Sequence, residues 1–132
     1  MLNVARAQDA LQKIAAASAA AGYVVAIAIV DDRGDLVAAH RMDGCRPRWM
    51  RASLRKAYTA AVMDRTTESF HDEIVRRNLQ IAYYGDPMFC ALPGGIPILH
   101  PDGTTHGAIG VTGPTQGSDA ELAAAGLASF TS

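Results

Sequence analysis

Two glycine-rich apolar segments joined by a short turn constrain the fold of this chain more than any other feature. The first, Ala91–Ile98, contains Leu-Pro-Gly-Gly-Ile-Pro, and the second, Gly107–Gly113, contains Gly-Ala-Ile-Gly. Residues 100–103, His-Pro-Asp-Gly, form a turn sequence between them. Glycine inside a strand marks a bulge or the close approach of a ligand or another backbone. The two segments therefore predict adjacent strands with bare backbone at the edge of a pocket.

Length and composition predict one domain over residues 1–132 with a single continuous core. Hydrophobic residues make up 49% and charged residues 19% of the chain. This is an apolar composition for a small domain, so we expect part of the surface to be covered in a homo-oligomer.

The net charge and the cysteines indicate the cellular compartment and argue against some classes of partner. A net charge of -1 does not provide the basic surface that nucleic-acid binding requires. Cys45 and Cys90 show no CxxC spacing and read as free thiols, which favours the cytoplasm. The first residues contain neither a signal-peptide core nor a membrane span, so we expect no membrane partner.

Hydrophobic periodicity and turn residues predict an α+β fold. We expect helices at 4–21, capped by Asn3, at 47–63, from Thr66 or Thr67 to 79, and at 119–129. We expect strands at 23–30, 36–41, 88–92, 96–99 and 106–112. These elements predict a single five-stranded, mainly antiparallel sheet flanked by helices. If the last strand pairs beside the first, the glycine-rich backbone lies near the centre of the sheet.

The second predicted helix carries a stripe of arginines. Arg48, Arg51 and Arg55 recur at intervals of three and four residues, which places them on one face. Guanidinium groups hold carboxylates through paired hydrogen bonds, so the stripe is a candidate site for a carboxylated ligand. The alternative is a solvated face or ion pairs with a neighbouring subunit.

Histidines and aromatic residues provide further candidates. The four histidines lack zinc-site spacing, and we predict no metal site. His106, beside the glycine-rich strand, and His71 are candidate acid/base groups together with Tyr84. Tyr83, Tyr84 and Phe89 are candidates for a flat apolar ligand wall, although aromatic residues are more often core. The Gly94 and Gly95 amides are candidate anion donors, although the flanking prolines equally indicate a rigid loop.

Taken together with Arg41-Met42-Asp43-Gly44 and Lys56-Ala57-Tyr58-Thr59-Ala60, the glycine-rich segments resemble the GlcG/HbpS family. This family comprises small haem-binding or haem-degrading-type domains that also occur at the C-terminus of PduO-type proteins. The resemblance implies a profilin-like fold and haem or another tetrapyrrole as ligand. Some members use a histidine at or before the first helix, and residues 1–22 contain none. His106 stands where similar sequences have an aliphatic residue.

The resemblance also marks Lys56 and Thr59 as candidate ligand-binding residues. A buried lysine is costly unless it is paired, so Lys56 either reaches solvent or meets a carboxylate such as Asp43. A structural pair is favoured over a catalytic amine.

Three functions remain open at this point. The first is a binding domain for a planar anionic ligand such as haem. The second is an enzyme without an organic cofactor that acts by acid/base catalysis on a small carboxylated substrate, aromatic or not. The third is a structural accessory subunit of a bacterial catabolic operon.

Overall fold

The computed structural model describes residues 2–114 and 116–131, and it confirms the α+β arrangement. Its helices are α1 (Val4–Ala20), α2 (Pro47–Met63), α3 (Thr67–Arg76) and α4 (Gln116–Ala124), with short 3-10 turns at Ile81–Tyr84 and Leu127–Phe130. Its strands are β1 (Ala26–Asp31), β2 (Leu36–Arg41), β3 (Gly95–Leu99) and β4 (Thr105–Thr112). None of the helices in the described ranges is long and apolar enough to cross a membrane.

Local sequence signals set most of the helix ends. The Asn3 side chain caps α1 by accepting a hydrogen bond from the Arg6 amide at 2.8 Å, and Thr66 caps α3 by accepting from the Ser69 amide at 3.1 Å. Pro47 opens α2, as proline at a first helical position predicts. The third helix ends at Arg76 rather than 79, because Asn78 adopts a left-handed conformation with φ 53°.

The sheet is antiparallel throughout, in the order β2-β1-β4-β3. The last strand β4 pairs with the whole length of β1, from Ala26 opposite Thr112 to Asp31 opposite Gly107. The glycines of β4 therefore lie at the centre of the sheet, as the sequence predicted for this pairing.

The predicted fifth strand at 88–92 is wrong. This segment is a loop that follows a turn at Asp86, whose side chain accepts a hydrogen bond from the Met88 amide at 2.9 Å. The Cys90 amide donates to the Thr59 hydroxyl at 2.9 Å instead of to a neighbouring strand. The side chains of Asp86 and of Thr59 on α2 thus accept from amides that a sheet would have paired with a neighbouring strand.

Two apolar layers enclose the sheet. On one face, the side chains of Ile27, Ile29 and Ile109 pack with α1 and α4. On the other face, Ala28, Val30 and Ala108 pack against the alanines of α2. Small residues on both sides let α2 approach closely: a Cβ added to Gly110 would collide with the backbone carbonyl of Ser53.

The last predicted helix is divided in two. α4 begins at Gln116 and ends at Ala124, and the chain continues into the 3-10 turn Leu127–Phe130. At the break, a Cβ on Gly126 would lie 2.7 Å from Ile14 Cδ1, so the backbone of this segment contacts α1 directly. The 3-10 turn brings Leu127 and Phe130 beside the end of β3.

Candidate functional site

A cavity of about 630 Å³ lies beside the edge strand β3, beneath the 3-10 turn 127–130. Most of its wall is apolar. Its lining includes Leu99, His100, Pro101, His106, Leu127 and Phe130. Volumes of this size are typical of sites for small molecules and cofactors.

Two stacked imidazoles form one part of the cavity wall. The rings of His100 and His106 lie nearly parallel, at an interplanar angle of 19°, with their centroids 4.1 Å apart. His106 reaches this position because β4 is irregular there: Ile98 pairs with Gly107 and Leu99 pairs with Thr105, which leaves His106 as the extra residue of a bulge. A bulge redirects a side chain relative to the alternation of its strand.

The neutral form of His106 is favoured, and its proton position follows from its hydrogen bond. The Leu2 amide donates to His106 Nδ1 at 3.2 Å, so the ring proton lies on Nε2. Burial lowers the pKa of His106 first, and the positive charges of His100 and of the amino terminus lower it further, against an opposing effect of Asp32. With the proton on Nε2, this ring offers the cavity a hydrogen-bond donor rather than a lone pair.

Lys56 forms a buried ion pair, and its partner is Asp119. The prediction of Asp43 was wrong, because that carboxylate lies at the exposed turn after β2. Lys56 Nζ donates to Asp119 Oδ2 at 3.1 Å and to the Val111 carbonyl at 3.0 Å, and both charged side chains are 1% exposed. Burial raises the pKa of Asp119 to about 6, opposed mainly by the charge of Lys56.

The second residue of the same motif, Thr59, holds the loop before β3. Its hydroxyl accepts from the Cys90 amide and donates to the Arg55 carbonyl at 2.7 Å. The Gly95 amide donates to the buried Thr67 hydroxyl at 2.9 Å, so it already has a partner inside the fold. Gly94 has φ 129°, and a Cβ there would lie 3.0 Å from Lys56 Nζ. These residues lie together at the packing surface of α2.

The arginine stripe lies on the outer surface of α2. Arg48, Arg51 and Arg55 are all exposed. In residues 2–114 and 116–131, none of the three guanidinium groups has an ion pair or a hydrogen bond. They lie on the opposite side of the sheet from the cavity, so one protomer does not bring the arginine stripe and His106 together.

The predicted aromatic wall forms a separate cluster near α3. Phe89 and Tyr84 lie 5.8 and 4.9 Å from the ring of the buried Phe70, in edge-to-face contacts. Tyr83 is 67% exposed and His71 is half-buried on α3. The structure therefore distributes the predicted residues over three places: the cavity, the outer face of α2 and this cluster.

Sequence reasoning missed Asp119 and most of the cavity wall. Asp119 is 63 residues from Lys56, and nothing in the local pattern links them. The sequence predicted Leu127 near the end of the last helix, 119–129, and assigned no role to Phe130. Only His100 carried a signal, since it flanks the same turn as His106. No group of three or more potential metal-ligating side chains occurs in the part of the chain that the structure describes.

Comparison with known proteins places this architecture in a family. The profile of the family described as "Haem degrading protein HbpS-like" matches residues 2–128. The chain belongs to this family. Protein GlcG of Escherichia coli K12 is 38% identical over 109 residues, which cover 76% of this chain and 79% of GlcG. The resemblance of the glycine-rich segments and the Lys-Ala-Tyr-Thr-Ala motif is thereby confirmed.

Solved structures share the fold over nearly the whole chain. A double mutant of HbpS from Streptomyces reticuli superimposes with a TM-score of 0.89 at 27% identity, covering 99% of this chain and 88% of that one. The crystal structure of a PduOC:heme complex gives a TM-score of 0.86 at 20% identity, covering 98% and 95%. At 20% identity, the second likeness shows a shared fold alone.

Proposed function

We propose that this protein binds a flat, largely apolar anionic molecule of the tetrapyrrole class, such as haem, in the cavity beside β3. The observation that carries the proposal is a cavity of about 630 Å³ that combines an apolar lining with two parallel imidazole rings. The family description names haem degradation, and one structural neighbour was solved as a haem complex. Both support a tetrapyrrole over other flat ligands.

The cavity provides apolar surface for a tetrapyrrole ring, whereas the hydrogen bond of His106 keeps that imidazole from ligating the iron. Leu99, Leu127 and Phe130 provide apolar surface for a macrocycle. His106 uses Nδ1 to accept from Leu2 and carries its proton on Nε2, so it has no free lone pair for a metal. We therefore expect the ring to be held by contact with the apolar wall and the flat imidazoles. When bound, haem would bring redox-active iron to this cavity.

The carboxylates of such a ligand would face solvent or accept from His106 Nε2. The cavity lining includes no arginine or lysine, so a guanidinium clamp is not part of this site. The arginine stripe on α2 would require a ligand of its own, on the other side of the sheet. This separation favours the binding function over an enzyme in which both sets of residues act on one substrate in one protomer.

Titration with hemin and with metal-free protoporphyrin tests the proposal. Leu99→Ala removes an apolar wall residue that is 54% exposed, and Leu36→Ala is a matched control on the other edge strand, where the side chain is 55% exposed. Burying the exposed half of a leucine contributes about 1 kcal/mol, so we expect Leu99→Ala to weaken both porphyrins about fivefold. Leu36→Ala should bind like the wild type.

Three results would contradict the proposal. The first is no saturable binding of either porphyrin. The second is equal weakening by both leucine variants. The third is loss of binding in Phe89→Ala with retention in Leu99→Ala, which would move the site to the aromatic cluster near α3.

A further inference from the structure

The amino-terminal strap Leu2–Asn3, which precedes α1, is attached to the cavity wall at two points. The Leu2 amide donates to His106 Nδ1, and the Leu2 side chain packs against the core beside Gly107 of β4. A Cβ added to Gly107 would collide with the Val30 carbonyl of β1 and would lie 2.9 Å from Leu2 Cδ2, so the glycine allows both the close strand pairing and the approach of the strap. The polar part of this attachment is a single hydrogen bond to a titratable ring.

That hydrogen bond exists only while the ring is neutral. Protonation places a hydrogen on Nδ1, and the imidazolium then has a donor facing the donor of the Leu2 amide. No proton shift within the cation can restore the acceptor, because both ring nitrogens are then donors. The amide would have to leave or the ring would have to turn.

The charged groups around His106 determine the pH at which the ring is protonated and the hydrogen bond is lost. His100 stacks on it from the β3–β4 turn, Asp32 acts on it from the β1–β2 turn, and the charge of the amino terminus also acts on it. Burial and the two positive charges lower the pKa of His106, so the strap is held at neutral pH. The centroids of the two rings are 4.1 Å apart, so a positive charge on His100 opposes the protonation of His106.

We propose that His106 is a proton-operated latch: its neutral ring holds the Leu2 end of the strap against β4, and its protonated ring releases that end from the cavity wall, while Asn3 stays with α1. The helix itself is not released. Its cap, the Asn3 side chain that accepts from the Arg6 amide, does not involve His106, and Ala7, Ala10 and Ile14 remain in the core. The latch does not depend on the identity of the ligand, so it and the proposed tetrapyrrole binding stand or fail separately.

Nuclear magnetic resonance of the protein without ligand tests the latch. Long-range proton–nitrogen spectra of ¹⁵N-histidine-labelled protein report the protonation state of His106, and amide exchange reports the strap. We expect the Nε2–H form at neutral pH, titrating below the usual histidine value of about 6.5. At the same midpoint, protection of the Leu2 amide should fall about three- to tenfold, as for one lost hydrogen bond. Protection of the Arg6 amide should not change.

Variants of His106 and His100 distinguish the latch from a general destabilisation of the fold in acid. His106→Gln offers a carboxamide oxygen that does not titrate, so the Leu2 amide should stay protected in acid. His106→Leu removes the acceptor, so Leu2 should be unprotected at every pH. His100→Gln removes one positive neighbour, so the midpoint should move upward. The proposal is overturned if Leu2 protection does not follow His106 protonation, if His106→Gln keeps the wild-type midpoint, or if His106 carries its neutral-pH proton on Nδ1.

Discussion

Replacement of Lys56 by methionine should destabilise the fold strongly, because Lys56 neutralises the buried Asp119 carboxylate. Its ammonium group makes two hydrogen bonds, to Asp119 Oδ2 and to the Val111 carbonyl, and both side chains of the pair are 1% exposed. In the described ranges, Asp119 Oδ1 has no hydrogen-bond partner. Methionine fills much of the lysine volume without the charge, so the variant isolates the loss of the ion pair.

The expected loss of stability follows from the two buried acceptors, the Asp119 carboxylate and the Val111 carbonyl, that Lys56→Met leaves without a partner. Each buried acceptor that loses its partner costs about 1–3 kcal/mol. Breaking a buried ion pair by removing one partner costs about 3–5 kcal/mol in total. We therefore expect Lys56→Met to lower the free energy of unfolding by about 3–5 kcal/mol at pH 8, a large part of the roughly 5–15 kcal/mol of a typical domain. The double variant Lys56→Met/Asp119→Leu should recover most of this loss, because it leaves no buried charge.

Urea unfolding followed by circular dichroism measures these differences. A mutational cost below about 1 kcal/mol would refute the reasoning, because an unpaired buried carboxylate cannot be so inexpensive. The same would follow if the double variant were no more stable than Lys56→Met. Either result would favour a ligand-binding role for Lys56 over a structural ion pair.

Four further predictions follow from the structure. The folded-state pKa of Asp119, about 6, lies above its unfolded value of about 3.9, so its stabilising contribution is complete below pH 4 and is lost as the pH rises through 6. The stability difference between wild type and Asp119→Asn should therefore grow in favour of the wild type between pH 7 and 5, and urea unfolding that shows no such change contradicts the raised pKa. If the arginine stripe binds a carboxylated ligand, Arg51→Ala or Arg55→Ala should lower the affinity for that ligand about ten- to a hundredfold in calorimetry, and lysine at the same position should restore only part of it. Unchanged affinity would mean that the stripe is a solvated face without a ligand. Hemin should bind without the sharp Soret band of histidine ligation, and a stoichiometric low-spin complex that His106→Ala abolishes would contradict this. Light scattering should show a homo-oligomer, and a strictly monomeric mass at micromolar concentration would exclude one.

Local chemistry in the sequence determined most of the secondary structure. Pro47 and the periodicity behind it predicted α2 as Pro47–Met63, and Asn3 and Thr66 predicted two helix starts. These signals depend on residues within one or two turns of each other, which is why they can be read without the fold. The segment 88–92 misled the prediction, because Phe89 packs against Tyr58 of α2 and Phe70 of α3, and the partner of the Cys90 amide, Thr59, is 31 positions away.

The tertiary structure alone decided the site. Asp119 becomes the partner of Lys56 because α4 returns to the end of β4, and Leu127 and Phe130 line the cavity because the chain bends after α4. The direction of the His106 side chain depends on a bulge in the pairing of β3 with β4. Strand alternation would have placed this ring with Ala108 and Gly110 on the α2 face. The residue types were visible in the sequence, but their neighbours are set by contacts across the fold, which no local pattern encodes.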